Sequence, residues 1–170
     1  MELEKIIRDI PDFPKKGIIF KDITTLLQDG GAFRQALNLM LKKYLDAGID
    51  KVLGIEARGF IFGGVLAYKL GCGFVPARKP GKLPYRSIAE EYTLEYGINS
   101  LEIHEDSIKP GEKVLIVDDL LATGGTALAA AKLAEKLGGN VAGIEFLIEL
   151  VFLRGRGKLA KYTVHSLIAY

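Results

Sequence analysis

Two adjacent carboxylates, Asp118 and Asp119, are the side chains in this sequence best placed to do chemistry together. They directly follow the apolar run 114–117, which predicts a buried strand, and they precede the turn 122–126, which reads Ala-Thr-Gly-Gly-Thr. The Ala-rich stretch 127–137 after the turn predicts a helix. Because ligands bind outside the carboxyl ends of the strands in an open parallel sheet, we expect the acids and the turn to contact a ligand.

The turn has the composition of a phosphate site. Thr hydroxyls, backbone N–H groups and the positive end of a helix all attract an anion. Gly124 and Gly125 allow a tight turn and the close approach of a phosphate. The two acids would repel a bare phosphate, so we expect them to contact sugar hydroxyls or a magnesium ion on the same ligand. The segment therefore predicts a site for a phosphorylated sugar, with a strand–turn–helix whose acids are merely solvated as the alternative.

Two other phosphate-binding patterns are excluded. No glycine is followed at the Walker spacing by Gly-Lys-Ser or Gly-Lys-Thr. The dinucleotide pattern GxGxxG is also missing from the sequence, and its nearest imitation, Gly71-Cys72-Gly73, runs into Pro76. The turn at 122–126 thus remains the candidate for phosphate binding.

Composition places the chain among globular proteins. Its 170 residues suit one domain, and a hydrophobic content of 49% is enough for a core. The net charge of +2 is too small to indicate a nucleic-acid-binding surface. The single cysteine, Cys72, excludes an internal disulfide, and two distant histidines give no basis for a zinc site. With no signal-like or membrane-spanning apolar run, the sequence predicts a cytoplasmic protein that binds neither nucleic acid nor a membrane.

Hydrophobic periodicity predicts alternating strands and helices. Beyond the segment already described, helices are expected at 3–10, 33–45 and 60–70, and strands at 51–55, 74–77, 141–150 and 163–168. Two prolines and Gly17 make residues 11–22 an irregular arm. The strand–helix–strand order indicates an α/β fold with an open, mostly parallel twisted sheet flanked by helices.

Residues 78–96 interrupt this alternation. The first half of the segment is basic and proline-bearing, and the second half is acidic. A charged insertion of this length after a strand is typical of a solvated hairpin or of a lid. Beyond it, Leu101 and Ile103 alternate with polar residues as in an edge strand. A later basic group is expected to be solvated surface and consists of Arg154, Arg156, Lys158 and Lys161.

Six stretches of the sequence carry a family resemblance. They are Asp12 to Pro14, Gly17 to Ile23, Gly54 to Phe60, Arg78 to Pro84, Leu94 to Gly97 and Val117 to Thr126. In this order and spacing they resemble the type I phosphoribosyltransferase family, and specifically its adenine branch, over nearly the whole chain. The last stretch is similar to the family's motif for 5-phosphoribosyl 1-pyrophosphate (PRPP).

The resemblance implies a domain organisation and a reaction. The type I phosphoribosyltransferase fold would form one domain over 1–170, with an N-terminal helix and a base-covering hood in about 1–30 and a flexible loop at 78–96. The reaction would be the Mg²⁺-dependent conversion of adenine and PRPP to AMP and pyrophosphate, a step of purine salvage by a pentosyltransferase. The resemblance also implies a homodimer.

The resemblance further implies roles for individual residues. The catalytic group would comprise Arg58, Glu95, Asp118 and Asp119. The 5-phosphate and ribose would contact Asp118, Asp119, Ala122, Thr123, Gly124, Gly125 and Thr126. Pyrophosphate would contact Arg58, Arg78, Lys79, Lys82 and Tyr96, and adenine would contact Ile19, Phe20, Lys21 and Leu120. The Mg²⁺ ion would be bound through PRPP, with no direct ligand from a protein side chain.

Alternatives stay open at three of these positions. Ala122 replaces the aspartate that hypoxanthine–guanine relatives place beside N7 of the base, which favours adenine but leaves a xanthine-type relative possible. Glu95 is then the candidate to assist at N7, or else a loop carboxylate that stays away from the base. Phe20 is either a base contact or a core residue.

The rival functional class is a regulator that senses PRPP without chemistry. Such relatives usually add a DNA-binding module, for which the 170 residues leave no length, and they tend to lose the loop cations present here. Both observations favour an enzyme. The resemblance also implies an unusual cis peptide bond between Glu56 and Ala57, which a sequence cannot show.

Overall fold

The structure of this chain, a computed structural model, describes residues 2–94 and 97–170. Contacts group the chain into two units, Met1–Leu39 and Met40–Tyr170. The single domain over 1–170, with an N-terminal part that ends near residue 30, stays a prediction.

The N-terminal unit begins with a short 3₁₀ helix, Leu3–Ile6, and not with the helix expected over 3–10. Strand β1 (Arg8–Pro11) follows and pairs antiparallel with β2 (Ile19–Asp22). The prediction was wrong because β-branched isoleucines favour extended backbone and Pro11 cannot continue a helix. Ile10 instead pairs with Phe20 across the ladder.

The arm predicted to be irregular ends in regular structure. Between the two strands, Asp12 adopts a positive φ of 56° and accepts a hydrogen bond from the Gly17 N–H at 2.6 Å. The last four residues of the arm form β2, which Arg8 fastens to β1 by a 2.7 Å ion pair with Asp22. Two helices come next, α1 (Thr24–Gln28) and α2 (Gly30–Leu41), the second of which ends four residues before its predicted end.

The larger unit contains a five-stranded parallel sheet with the strand order β4-β3-β7-β8-β9. Its strands are β3 (Lys51–Ile55), β4 (Gly73–Ala77), β7 (Lys113–Leu121), β8 (Asn140–Glu149) and β9 (Val164–Ala169). Helix α3 (Gly59–Leu70) connects β3 to β4, and α4 (Gly125–Lys136) connects β7 to β8. Since the two connections run in opposite directions along the sheet and parallel crossovers are right-handed, the helices cover opposite faces. The predicted fold class is confirmed.

Strand β7 is longer than the sequence predicts. Residues 114–117 are fully buried, as expected, but the strand continues through both aspartates to Leu121. The extra residues keep their pairing with β8, where Asp118 lies opposite Phe146 and Leu120 opposite Ile148. The acids therefore belong to the strand itself, and the turn starts only after Leu121.

The charged insertion ends in a β-hairpin made of β5 (Ser87–Leu94) and β6 (Gly97–His104). The backbone forms a hairpin, while the flexible loop expected at 78–96 stays a prediction. Leu101 and Ile103 are buried, which confirms the alternation read from the sequence. The hairpin lies on α4, where Glu90 accepts hydrogen bonds from Lys132 at 2.9 Å and from Lys136 at 2.6 Å.

Two 3₁₀ helices, Val151–Leu153 and Gly155–Leu159, link β8 to β9. Arg156 is exposed, as the sequence predicts for this basic group, but it also forms specific hydrogen bonds. Its Nε donates to both carboxylate oxygens of Glu149 at 2.8 Å, and Nη1 and Nη2 donate to the Val164 carbonyl and the Ser166 hydroxyl at 2.7 and 2.9 Å. The buried Glu149 needs such partners because an unpaired charge inside a protein is costly.

The helices of the described residues include none that is both long enough and apolar enough to cross a lipid bilayer.

Candidate active site

Strands β3 and β7 are neighbours in the sheet, but their connections go to opposite sides: β3 is followed by β4 and β7 by β8. In open α/β sheets, the crevice at such a switch point is where ligands bind. Here it opens into a cavity of about 480 Å³, called the larger cavity below. It is lined by Ile55, Glu56, Ala57, Arg58, Lys79, Tyr92, Asn99, Asp118, Asp119, Leu120 and Thr126.

The paired carboxylates sit at the centre of this cavity with different partners. Asp119 is only 5% exposed, and its Oδ2 lies 2.6 Å from Nε of Arg58. Asp118 accepts a hydrogen bond at 2.8 Å from the backbone N–H of Asp119. Burial and the neighbouring charge of Asp119 raise the pKa of Asp118 well above its usual range.

Arg58 is positioned by the junction of β3 and α3. It caps α3 in a helical conformation, one residue after the peptide bond between Glu56 and Ala57. That bond is cis, which confirms the expectation from the resemblance. Helix α3 approaches β7 closely because its first residue, Gly59, has no side chain: a Cβ there would lie 2.8 Å from the Val117 carbonyl oxygen.

A second cavity of about 120 Å³, called the smaller cavity below, adjoins the first. All five residues of the turn 122–126, called the phosphate loop below, line it together with Asp118, Leu120, Leu121, Ala127 and Phe146. Gly124 adopts a left-handed φ of 79° just before α4 begins. The first N–H groups of a helix have no partner within it, so this cavity offers N–H donors and a positive helix end to an anion.

The basic residues after β4 converge on Glu56. Nη2 of Arg78 lies 3.3 Å and Nζ of Lys82 lies 3.5 Å from its Oε2, and the backbone N–H of Lys79 donates to its Oε1. Burial alone would raise the pKa of Glu56, but these three partners outweigh burial and lower it. Of the three cations, only Lys79 lines the larger cavity in the part of the chain that the structure describes.

Sequence reasoning missed three residues of the site. Glu56 anchors the basic residues, and Tyr92 and Asn99 line the larger cavity from the hairpin. The position of Glu56 between a strand end and Arg58 was a usable signal. The sequence carried no comparable signal for Tyr92 or Asn99, since which hairpin side chains face a cavity depends on how the hairpin packs.

The remaining predicted residues fall into two groups. Glu95 and Tyr96 lie outside the described residues. Ile19, Phe20 and Lys21 form part of β2 in the N-terminal unit. There, the Phe20 ring packs edge-on against Phe13, and Lys21 forms a 2.7 Å ion pair with Asp9.

Comparisons with known proteins agree with this architecture. Residues 24–165 match the model of the phosphoribosyl transferase domain. The adenine phosphoribosyltransferase of Brachyspira hyodysenteriae is 59% identical over 170 residues, which are 100% of each chain. The crystal structure of the adenine phosphoribosyltransferase from Thermoanaerobacter pseudethanolicus superposes with a TM-score of 0.94 at 57% identity, over 99% of this chain and 98% of that one.

A second solved structure that resembles this chain contains ligands. The adenine phosphoribosyltransferase of Saccharomyces cerevisiae, solved in complex with adenine and an imino-altritol bisphosphate, has a TM-score of 0.91 and 42% identity. The match covers 97% of this chain and 96% of that one. By sequence, fold and the matched domain model, this chain belongs to the phosphoribosyltransferase family and, within it, to the adenine phosphoribosyltransferases.

Proposed function

We propose that this protein transfers the 5-phosphoribosyl group of PRPP to N9 of adenine and releases AMP and pyrophosphate. The observation that carries the proposal is the pair of adjoining cavities, which share Asp118, Leu120 and Thr126. One cavity is lined by the phosphate loop and suits a phosphate monoester. The other has Arg58 and Lys79 on its wall and suits a diphosphate. A sugar that carries both groups, as PRPP does, would span them.

Each part of PRPP has a matching set of groups. The 5-phosphate would accept hydrogen bonds from the phosphate loop, Ala122 to Thr126. The ribose hydroxyls would donate to Asp118 and Asp119, which stand at the boundary of the two cavities. The pyrophosphate would contact Arg58 and Lys79. On closure of the segment 78–96, it would also contact Arg78, Lys82 and Tyr96.

The chemistry is a displacement at C1 of the ribose. As the bond to pyrophosphate breaks, positive charge develops on the sugar, and the field of Asp118 and Asp119 stabilises it. Negative charge grows on the departing pyrophosphate, where the guanidinium of Arg58 and the ammonium of Lys79 stabilise it. N9 of adenine forms the new bond to C1, and the ring proton of the base leaves from N7 to an acceptor, for which Glu95 is the candidate. No covalent intermediate with the enzyme is needed. Asp118 and Asp119 are held for this role by their pairing in β7.

The site fits a Mg²⁺ ion that arrives with PRPP. In the described part of the chain, no group of three or more His, Cys, Asp or Glu side chains is arranged to hold a metal. Asp118 and Asp119 supply negative charge beside the space for the diphosphate, so the ion would bind through PRPP oxygens near them. When bound, Mg²⁺ neutralises charge on the leaving pyrophosphate.

The base contacts proposed for this chain are those that the resemblance implies, Ile19, Phe20, Lys21 and Leu120. Adenine is bound in the Saccharomyces cerevisiae relative, which supports adenine as the base. Ala122 leaves no acid in the phosphate loop beside N7 of the base, where hypoxanthine–guanine relatives have an aspartate, which favours the same base. We further propose that Glu95 assists at N7. A Phe20→Ala variant should raise the KM for adenine and leave the KM for PRPP unchanged.

A homodimer is the proposed assembly. Helix α3 is apolar nearly all round, and its outer side chains Ile61 and Tyr68 are 40% and 81% exposed. A helix with apolar residues on its solvent side usually contacts another protein surface. Light scattering would test the dimer, and cell fractionation would test the cytoplasmic location, which stays a prediction from the sequence.

One assay tests the proposed function. Purified protein is incubated with PRPP, Mg²⁺ and adenine, hypoxanthine, guanine or xanthine in turn, and nucleotide and pyrophosphate are quantified. We expect AMP and pyrophosphate in equal amounts with adenine and far slower turnover with the other three bases. Faster turnover with xanthine would move the protein to the xanthine-type relatives. Binding of PRPP without turnover of any base would identify a PRPP sensor instead.

A further inference from the structure

The phosphate loop packs against the backbone of Gly155, a residue that is distant along the chain. A Cβ built on Gly155 would overlap the carbonyl oxygen of Ala122 and would lie 2.9 Å from a methyl carbon of Leu121. Conversely, a Cβ on Gly124 would lie 2.5 Å from the carbonyl oxygen of Gly155. The two segments thus touch backbone to backbone on both sides, at a separation that only glycine allows.

The backbone conformation of Gly155 does not itself require glycine. Its φ is not positive, whereas the neighbouring Arg154 has a φ of 53°. Gly155 is buried, so the reason for glycine is space alone. A Cβ at this position overlaps the backbone of Ala122, so either the phosphate loop or the segment that carries Gly155 must shift.

Arg156 fixes the position of Gly155. Its guanidinium ties the 3₁₀ helix that starts at Gly155 to the end of β8 through Glu149, and to β9 through Ser166. Ser166 in turn donates to Glu149 at 2.6 Å, which closes the cluster. Burial alone would raise the pKa of Glu149, but the hydrogen bonds from Arg156 and Ser166 outweigh it and lower that pKa. The cluster therefore keeps Glu149 ionised and ties the 3₁₀ helix Gly155–Leu159 to β8 and β9.

We infer that Gly155, held by the Arg156–Glu149–Ser166 cluster, is a positioning residue that sets the shape of the phosphate loop and hence the affinity for the 5-phosphate of substrate and product. The inference rests on the proposed function, because it takes the phosphate loop as the site of that phosphate. Gly155 is not among the residues that line the two cavities. It acts on the N–H donors of Thr123 to Thr126 by fixing the backbone that carries them.

The test compares AMP with adenosine, which differ only by the phosphate, and adds pyrophosphate as a ligand of the larger cavity. Calorimetry gives the affinities for wild type, for Gly155→Ala and for Gly157→Ala. The last is a matched control: Gly157 lies in the same 3₁₀ helix, and a Cβ there would meet no described heavy atom within 4 Å. We expect Gly155→Ala to weaken AMP binding by about tenfold or more, since small displacements of binding groups are costly. Adenosine and pyrophosphate binding, and all affinities of Gly157→Ala, should change by less than about twofold.

The outcomes separate the two proposals. If wild type binds AMP no better than adenosine, the proposed phosphate site is wrong. If wild type prefers AMP and Gly155→Ala keeps that preference in full, the inference about Gly155 is overturned.

A second variant covers the case in which circular dichroism shows Gly155→Ala to be unfolded. Arg156→Lys keeps the charge but cannot reach Glu149, Val164 and Ser166 together. It should lose AMP affinity selectively, by about threefold, while adenosine affinity is kept. An equal loss for both ligands, or no loss, would contradict the positioning role.

Discussion

Two regions of the site offer different groups to the two anions of the proposed reaction. The phosphate loop, 122–126, lies between a buried strand and a packed helix and presents backbone N–H groups. The segment 78–82 is mostly exposed and presents charged side chains that converge on Glu56. In the proposed function, the first region would hold its ligand through backbone geometry, which glycines at 124 and 155 permit. The second would attract its ligand through the charge of exposed side chains. One region would therefore hold the sugar phosphate and the other the pyrophosphate.

The largest effect is expected from Arg58, which stands between the two regions. Arg58→Ala removes the cation that pairs with Asp119 and faces the leaving group. We expect kcat/KM for PRPP to fall about 100- to 1,000-fold, because a preorganised contact to developing charge contributes about 3–4 kcal/mol. Steady-state kinetics measures it. Arg86→Ala is the control, since Arg86 is an exposed cation at the base of the hairpin. Kinetics near wild type for Arg58→Ala would refute its role.

The backbone character of the phosphate loop predicts the next effect. Gly124→Ala forces a side chain into a left-handed conformation and against the Gly155 carbonyl. We expect the KM for PRPP to rise about ten- to thirtyfold, from strain of about 1–2 kcal/mol and displaced N–H donors. Gly111→Ala carries similar strain, with a φ of 87°, but its Cβ would meet no heavy atom of the described chain within 4 Å. If both variants behave alike, strain and not loop contact explains the loss.

The charge-based region predicts a smaller effect. Glu56→Gln removes the anion on which Arg78, the Lys79 N–H and Lys82 converge. We expect the KM for PRPP to rise about fivefold with the KM for adenine unchanged, because a hydrogen-bonded anchor of this kind contributes about 1 kcal/mol. The exposed Glu105 provides the control Glu105→Gln. A lower KM for PRPP would mean that Glu56 opposes pyrophosphate binding by its charge and does not support it.

The smallest effect concerns the hairpin that follows the charged segment. Lys136 donates to Glu90 at 2.6 Å and to the Ala89 carbonyl at 3.2 Å, but it is half exposed. Lys136→Met should lower the free energy of unfolding by about 0.5–1 kcal/mol, the usual range for exposed pairs. Urea unfolding in low and high salt measures this, with the exposed Lys109→Met as the control. A loss that does not shrink at high salt would show that packing of the lysine stem, and not charge, holds the hairpin.

The sequence predicts the site best where its residues lie close together along the chain. The two acids, the phosphate loop and the strands 51–55 and 74–77 are visible because strand, turn and helix signals follow one another within a few residues. The N-terminal helix over 3–10 failed because the partner of that segment, β2, is decided by pairing across the chain.

Long-range contacts explain the other misses. Glu56, Arg156 and Gly155 are each explained by residues that are distant along the chain: Glu56 by the basic segment, Arg156 by Ser166, and Gly155 by Ala122. Periodicity and motif spacing contain no information on such pairs. The strand β7 was predicted too short for a similar reason, since its last residues are held by β8.

The central claim is that a sugar phosphate docks on the phosphate loop while its diol faces Asp118 and Asp119. A crystal structure of the protein with AMP tests this most directly. We expect phosphate oxygens within hydrogen-bond distance of backbone N–H groups between Thr123 and Thr126, with the ribose hydroxyls on the two carboxylates. A phosphate found instead beside Arg58 and Lys79, with the loop unoccupied, would contradict it.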